Sequence, residues 1–260
     1  MSTDSQPKLK VVFVGIGGAT CSGKTTLAKH LRCILPDSVI IHQDDFAPPQ
    51  HLVPIHPVYQ VQDWDAPAGA ISWDRLIAFL RHVRETGDIP LDHHSHDHLN
   101  EQQDIPIPNE LRESWITEFK RIQEEKEAQE NGVKIIWALV DGFLLYWHKE
   151  VIAELGVRVM LRVPHDVLKR RRHERHGYHT AVQSDPVEGS LWRDPPHYWE
   201  QIVYPAYLEA HREAFVDGDV EHGRPNDKVK DLILLETLEM GMGEAVERCC
   251  RVLRETALKQ

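Results

Sequence analysis

Cysteine is scarce. The 260 residues hold four, Cys21, Cys33, Cys249 and Cys250, with no C-x-x-C pair. So few cannot staple a disulfide scaffold, so a reducing compartment is expected. Positive charge is also short: 30 Lys and Arg stand against 41 Asp and Glu, for a net charge of −11. That balance speaks against a protein that coats nucleic acid and favours a small-molecule ligand. Long apolar runs are missing too. The segment behind the polar first residues is shorter than a signal core or a membrane span, so a soluble, cytoplasmic protein is expected, with nuclear access left open. There is no internal repeat. The length fits a single domain over 1–260, with a substrate-side helical region with an inserted loop near 60–131 and a lid at 165–196.

What is present begins at Gly18, where G-A-T-C-S-G-K-T-T runs to Thr26. The β-branched run Val11–Ile16 precedes it, and a helical pattern from Leu27 to Leu35 follows. This is the G-x-x-x-x-G-K-S/T phosphate loop. Gly18 and Gly23 mark its fixed ends, where a missing Cβ lets backbone N–H groups close around phosphate oxygens. Ala19, Thr20, Cys21 and Ser22 lie between them. Lys24 supplies charge for the β- and γ-phosphates, and Thr25 and Thr26 open a helix whose positive end faces the same anion. The Thr25 hydroxyl can reach a magnesium ion.

Along the chain, strands and helices alternate. Strands are expected over Leu9–Ile16, Ser38–His42, Val133–Val140, Val157–Val163 and Asp231–Glu236. Helices are expected from Gly23, from Trp73 with Ser72 as N-cap and Gly87 as stop, from Glu110, from His165, from His197 with a kink at Pro205, and from Gly243. Ala47–Pro57, with four prolines, reads as loop. Tyr178–Pro196 reads as irregular. The class is α/β with a five-stranded parallel sheet flanked by helices.

Several residues carry chemistry. Asp44 and Asp45 stand at the C-terminal end of the second strand, the edge where parallel sheets bind ligands, and Asp44 there can take a proton from an attacking hydroxyl. Asp141 closes a very apolar strand as a Walker B acid does, placed to hold magnesium or orient Thr25. Lys169, Arg170, Arg171, Arg172 and Arg175 form a dense cation cluster ahead of an irregular segment, as in a lid that lays guanidinium groups on a transferring phosphate. The tract His93-His94-Ser95-His96-Asp97-His98 holds many imidazoles but has no second cluster at ligand spacing. Cys21 sits where a thiolate would be stabilised, but a loop position that tolerates many residues is the better reading.

The chain resembles the nicotinamide riboside kinases, a branch of the P-loop nucleoside kinases. The resemblance rests on G-G-A-T-C-S-G-K-T-T-L-A-K at 17–29, Q-D-D-F at 43–46, Trp64-Asp65, D-G-F-L-L at 141–145, K-R-R-R at 169–172, and D-P-P-H-Y with V-Y-P-A-Y-L within 194–208. It implies the P-loop kinase fold, ATP in the loop, and Mg2+ near Thr25 and Asp44. Asp44 would be the base for the riboside 5′-hydroxyl. Asp45, Phe46 and Ala47 would line the acceptor, Trp64 would stack on its ring and Asp65 would bind the ribose diol. Arg172 would contact the substrate, and Arg171 and Arg175 the ATP. Tyr178 and Asp194 match substrate-side positions, and the adenine side would fall within Thr237–Gly243. Asp141 stands where the family usually has glutamate, and Trp64 where it has tyrosine.

The resulting expectation is an ATP-dependent kinase of nicotinamide riboside, with nicotinic acid riboside as a further acceptor. A uridine kinase or another small-metabolite kinase is the alternative within the class. A nucleotide-switched metal-delivery protein is the alternative outside it, though no N-K-x-D signature is present and Asp141-Gly142 lacks D-x-x-G spacing.

Overall fold

The apolar run near the start folds as the central strand of a five-stranded sheet. The computed structural model describes residues 7–100, 102–129, 132–175, 177–180 and 190–260. In chain order these form β1 (Lys8–Gly18), α1 (Lys24–Ile34), β2 (Ser38–His42), α2 (Trp73–Thr86), α3 (Asn109–Glu127), β3 (Val133–Gly142) and α4 (Lys149–Glu154). There follow β4 (Val157–Arg162), α5 (His165–Glu174), β5 (Tyr178–Thr180), β6 (Ser190–Trp192), α6 (Tyr204–His211), β7 (Leu232–Glu236) and α7 (Thr237–Lys259). The large sheet has the order β2-β3-β1-β4-β7 and is parallel throughout.

β1 and β3 are flanked by strands on both sides and covered on both faces. Their sequences therefore run apolar without alternation, as buried parallel strands do. One face packs against α2, α4 and the segment around α6, through Leu76, Leu80, Leu145, Trp199 and Phe215. The other packs against α1, α3 and α7, through Leu27, Leu31, Phe119, Trp137 and Leu253. Register aligns the C-terminal strand ends: Asp141 of β3 lies beside Ile16 of β1 and beside His42 of β2. The phosphate loop leaves from this same edge.

Several expected boundaries shift. The helix expected from Gly243 begins at Thr237 and is interrupted by Gly241 in a left-handed conformation (φ 71°). Before α6 the chain makes a π-helical turn over Trp199–Val203, which leaves Pro205 in the first turn of α6, where its missing N–H costs nothing. The segment read as irregular contains the antiparallel ribbon β5–β6. Residues 181–189, within the expected lid, lie outside the described residues, as do 101, 130 and 131 of the expected insertion region and His176, at the expected end of the helix from His165. The short helix α4 carried no clear periodic signal. Gly87 ends α2 as expected (φ 79°), but Ser72 makes no side-chain cap bond.

Candidate active site

The loop between β1 and α1 turns on Gly18 (φ 140°) and Gly23 (φ 97°), both in backbone regions closed to most side chains. A Cβ on Gly18 would stand 2.4 Å from the Leu161 carbonyl oxygen. Inside the loop, Lys24 is almost fully buried and donates from Nζ to the Ala19 carbonyl at 3.0 Å. The Ser22 hydroxyl is buried with no partner among the described residues. An orphaned hydroxyl and a buried ammonium in a loop at a helix N-terminus form a cradle for an anion. Thr26 lies half-buried in the same first turn. Met242, just past the break in α7, lies against Gly23, which brings 237–243 to the side of the loop.

The strand ends supply the acids. Thr25 donates from its hydroxyl to Asp141 at 2.5 Å, and His42 Nδ1 lies 3.3 Å from the same carboxylate. Burial works against charge at both His42 and Asp141, but their mutual attraction prevails. His42 is raised to about 9 by the hydrogen bond and charge of Asp141, with Asp97 and Asp45 adding to it. Asp141 is held below its ordinary range by His42, Lys24 and Thr25. Asp44 opens to the cleft, yet the protein packed around it lifts its carboxyl to about 6, with the Asp141 charge adding and Lys24 and His42 opposing. It sits in a 3-10 turn, Gln43–Phe46, that Ala47 closes by donating to the Asp44 carbonyl. Arg75 braces this turn, donating to the Asp45 carbonyl at 2.8 Å and lying 5.0 Å above the Phe46 ring.

Arg172, Tyr178 and Asp194 meet at one wall of the cleft; Asp65 lies near enough to feel the charges of Arg172 and Asp194, and Trp64 reaches this wall through Trp192, whose indole N–H donates to Asp194. Arg172 grips Asp194 with two parallel bonds, 2.6 and 2.9 Å, and its guanidinium lies 4.5 Å from the Tyr178 ring centroid. Arg175 covers Tyr178 at 4.8 Å. The Tyr178 hydroxyl reaches back to the phosphate loop, 3.1 Å from Thr20 Oγ1 and 3.2 Å from Cys21 Sγ, and Arg171 donates to the Cys21 carbonyl. Asp65 is buried, and burial lifts its carboxyl to about 7, with Arg172 opposing and Asp194 and Asp63 adding. Trp64 lies 5.8 Å from Trp192, and its indole N–H is buried without a partner among the described residues.

The cation cluster divides. Arg171 faces the loop and Arg172 and Arg175 face Tyr178, whereas Lys169 pairs with Glu200 and the exposed Arg170 lies near Glu174. Part of the His-rich tract is packed, while His94 and His98 are exposed: His93 stacks on Phe46 at 5.6 Å and lies 3.5 Å from Asp45, whose other oxygen accepts the His96 backbone N–H. Among the described residues no three His, Cys, Asp or Glu side chains are arranged to hold a metal ion. Sequence reasoning missed His42, Asp63, Trp192 and Tyr198, although Tyr198 donates to the Gln62 carbonyl and accepts from the Trp64 N–H. The strand-end position of His42 and the place of Tyr198 at the end of D-P-P-H-Y were the signals that could have drawn notice.

A phosphate loop, a strand-end acid on its threonine and inward arginines, set at the C-terminal edge of a parallel α/β sheet, define a P-loop kinase. No protein-family model matches the chain. The nicotinamide riboside kinase of Schizosaccharomyces pombe is 34% identical over 211 residues, covering 81% of this chain and 84% of that protein. Its Saccharomyces cerevisiae counterpart is 30% identical over 233 residues, covering 86% and 88%. Human nicotinamide riboside kinase 1 is 28% identical over 205 residues, covering 79% of each chain. The chain belongs to the nicotinamide riboside kinase family.

Proposed function

We propose that this protein transfers the γ-phosphoryl group of ATP to the 5′-hydroxyl of nicotinamide riboside. The observation that carries the reading is the convergence of an anion cradle, Gly18–Thr26, with a raised carboxylate, Asp44, at one sheet edge. A carboxyl near 6 is a better base than an ordinary aspartate and is still ionised at neutral pH. Asp44 would orient and deprotonate the hydroxyl. Lys24 and the inward arginines would offset the charge on the phosphates, with Arg171 and Arg175 on the nucleotide and Arg172 nearer the acceptor. Asp65 would accept from the ribose diol, and Trp64 would offer its face to a cationic pyridinium. Asp45, Phe46, Ala47, Tyr178 and Asp194 would complete the acceptor wall, and 237–243 would border the adenine.

Magnesium fits the same place. Its would-be ligands, Thr25, Asp141 and Asp44, offer hard oxygens, and Asp44 and Asp141 lie close enough for their charges to oppose each other. A divalent cation relieves such repulsion, and magnesium commonly uses one or two carboxylates together with substrate phosphates. Bound there, it would neutralise charge on the β- and γ-phosphate oxygens. A cytoplasmic location accords with the free cysteines and with the lack, among the described residues, of a helix long and apolar enough to cross a membrane.

The test is ADP release by purified protein with nicotinamide riboside, nicotinic acid riboside and uridine. Turnover with the pyridine ribosides well above uridine is expected. Preference for uridine, or no turnover with any riboside, overturns the reading.

A further inference from the structure

The His-rich insertion offers its carboxylate, rather than its imidazoles, to the site. Asp97 opens a short 3-10 turn and is held there by Gln102, which donates to Oδ1 at 2.8 Å. Its Oδ2 meets Lys29 Nζ at 2.7 Å and faces His42 Nε2 at 3.9 Å. The opposite ring nitrogen of His42 lies 3.3 Å from Asp141, and Asp141 accepts from Thr25. Thr25 and Lys29 stand one turn apart on α1, so the contacts close on themselves. The circuit runs from Thr25 to Asp141, His42, Asp97, Lys29 and back along the helix. It ties together the end of β3, the end of β2, the first turn of α1 and the insertion.

We propose that Asp97 is a positioning residue of the phosphoryl-transfer centre, which through His42 fixes the orientation of the Asp141 carboxylate beside Thr25. A lone carboxylate at a strand end has several rotamers, and one that must serve a cation and a hydroxyl together needs a second shell to select among them. His42 supplies that shell directly. Asp97 sets the ring of His42 from behind and, through Lys29, holds the helix that carries Thr25. The insertion thus works as a brace built into the active site, and this role rests on the kinase reading above.

Asp97→Ala and Asp97→Asn test it, with His94→Ala, an exposed change on the same tract outside the circuit, as control. The readouts are manganese affinity of the ADP-bound protein by electron paramagnetic resonance, the magnesium concentration for half-maximal rate, and the riboside KM. Loss of an outer-shell partner typically costs about 10–100-fold in metal affinity or activity. Asp97→Ala is expected to weaken manganese binding and raise the magnesium requirement by about tenfold, leaving the riboside KM within about twofold. Asp97→Asn, which keeps the shape and loses the charge, should fall between Asp97→Ala and wild type, and His94→Ala should match wild type. A folded Asp97→Ala with wild-type manganese affinity and magnesium dependence overturns the proposal; should that variant fail to fold, an unaltered Asp97→Asn does so. A wild-type protein inert on every riboside defeats the kinase reading instead, while the manganese measurement still decides the role of Asp97.

Discussion

The proposed phosphate half of the cleft is made from nine consecutive residues and two strand ends, while the proposed acceptor half is gathered from segments as distant as Trp64 and Tyr198. The first is held by backbone: positive-φ glycines, a helix N-terminus and strand register leave Lys24, Thr25 and Asp141 little freedom. The second is held by side chains: a bidentate Arg172–Asp194 pair, the Arg172 guanidinium over the Tyr178 ring and a buried Asp65. Backbone construction gives a fixed site for a ligand part common to many enzymes. Side-chain construction gives a site that exchange of a few residues retunes, as suits the part that distinguishes one kinase from another.

Asp44 stands where the halves meet, and its replacement has the largest expected effect. Asp44→Asn removes the base but leaves the cradle, so kcat should fall by ~10²–10⁴-fold. Affinity for ATP without magnesium, measured by calorimetric titration, should stay within about threefold, because the loop needs nothing from the Asp44 carboxylate to bind phosphate. A parallel collapse of ATP binding would merge the two halves into one. As the proposed base, the same residue should also set the acid limb of the wild-type profile. The base acts when ionised, so kcat/KM should fall as pH drops through about 6, tending to tenfold per unit below it. An acid limb that stays unchanged in Asp44→Asn would show that Asp44 is not the titrating base.

Arg172→Lys probes the side-chain half alone. Lysine keeps the charge but cannot reproduce the two parallel bonds to Asp194 or lie flat on Tyr178. Misplacing the acceptor by about an ångström is worth up to ~10²-fold in rate, and a loss of that order in kcat/KM for the riboside is expected without change in the ATP KM. Full retention of riboside kinetics would mean that charge, rather than geometry, is what Arg172 provides.

The same division governs what was legible before the fold was known. Glycine spacing, the strand-end acids and the alternation of strand and helix are local signals; they gave the five parallel strands and pointed to Gly18–Thr26, Asp44 and Asp141, which the fold brings to one sheet edge. His42 was passed over because its partner, Asp141, is its neighbour only through parallel pairing of β2 with β3. Asp97 was hidden in a run whose imidazoles drew attention, while its carboxylate meets Lys29 and His42 by tertiary packing. The cation run gave no sign of which arginines turn inward, since helical phase depends on what α5 packs against. The residues proposed for the acceptor came from resemblance to a family. Nothing in the spacing of Trp64, Arg172 and Asp194 by itself brings them together.

Two acids carry the comparison to its smallest effect, one of opposite sign in the two halves. Asp141 is held below the usual carboxylate range, so its charge contributes stability that is present above pH 3.8 and is lost as pH falls through its folded value. Asp65 is raised to about 7, so its contribution is fully present below pH 3.8 and is lost as pH rises toward 7. At pH 8 the ligand-free protein therefore carries a stabilising charge at Asp141 and a destabilising one at Asp65. Asp141→Asn should lower Tm and Asp65→Asn should raise it, each by ~5 °C, although both should slow turnover. On acidification to about pH 4 the gain from Asp65→Asn should vanish, because the wild-type carboxyl is then neutral in the fold and about half protonated when unfolded. Thermal melts of the two variants across that range check both signs. A Tm loss for Asp65→Asn at pH 8 would mean that the acceptor half, too, is organised by its charges for stability, and that the contrast between the halves does not extend to energetics.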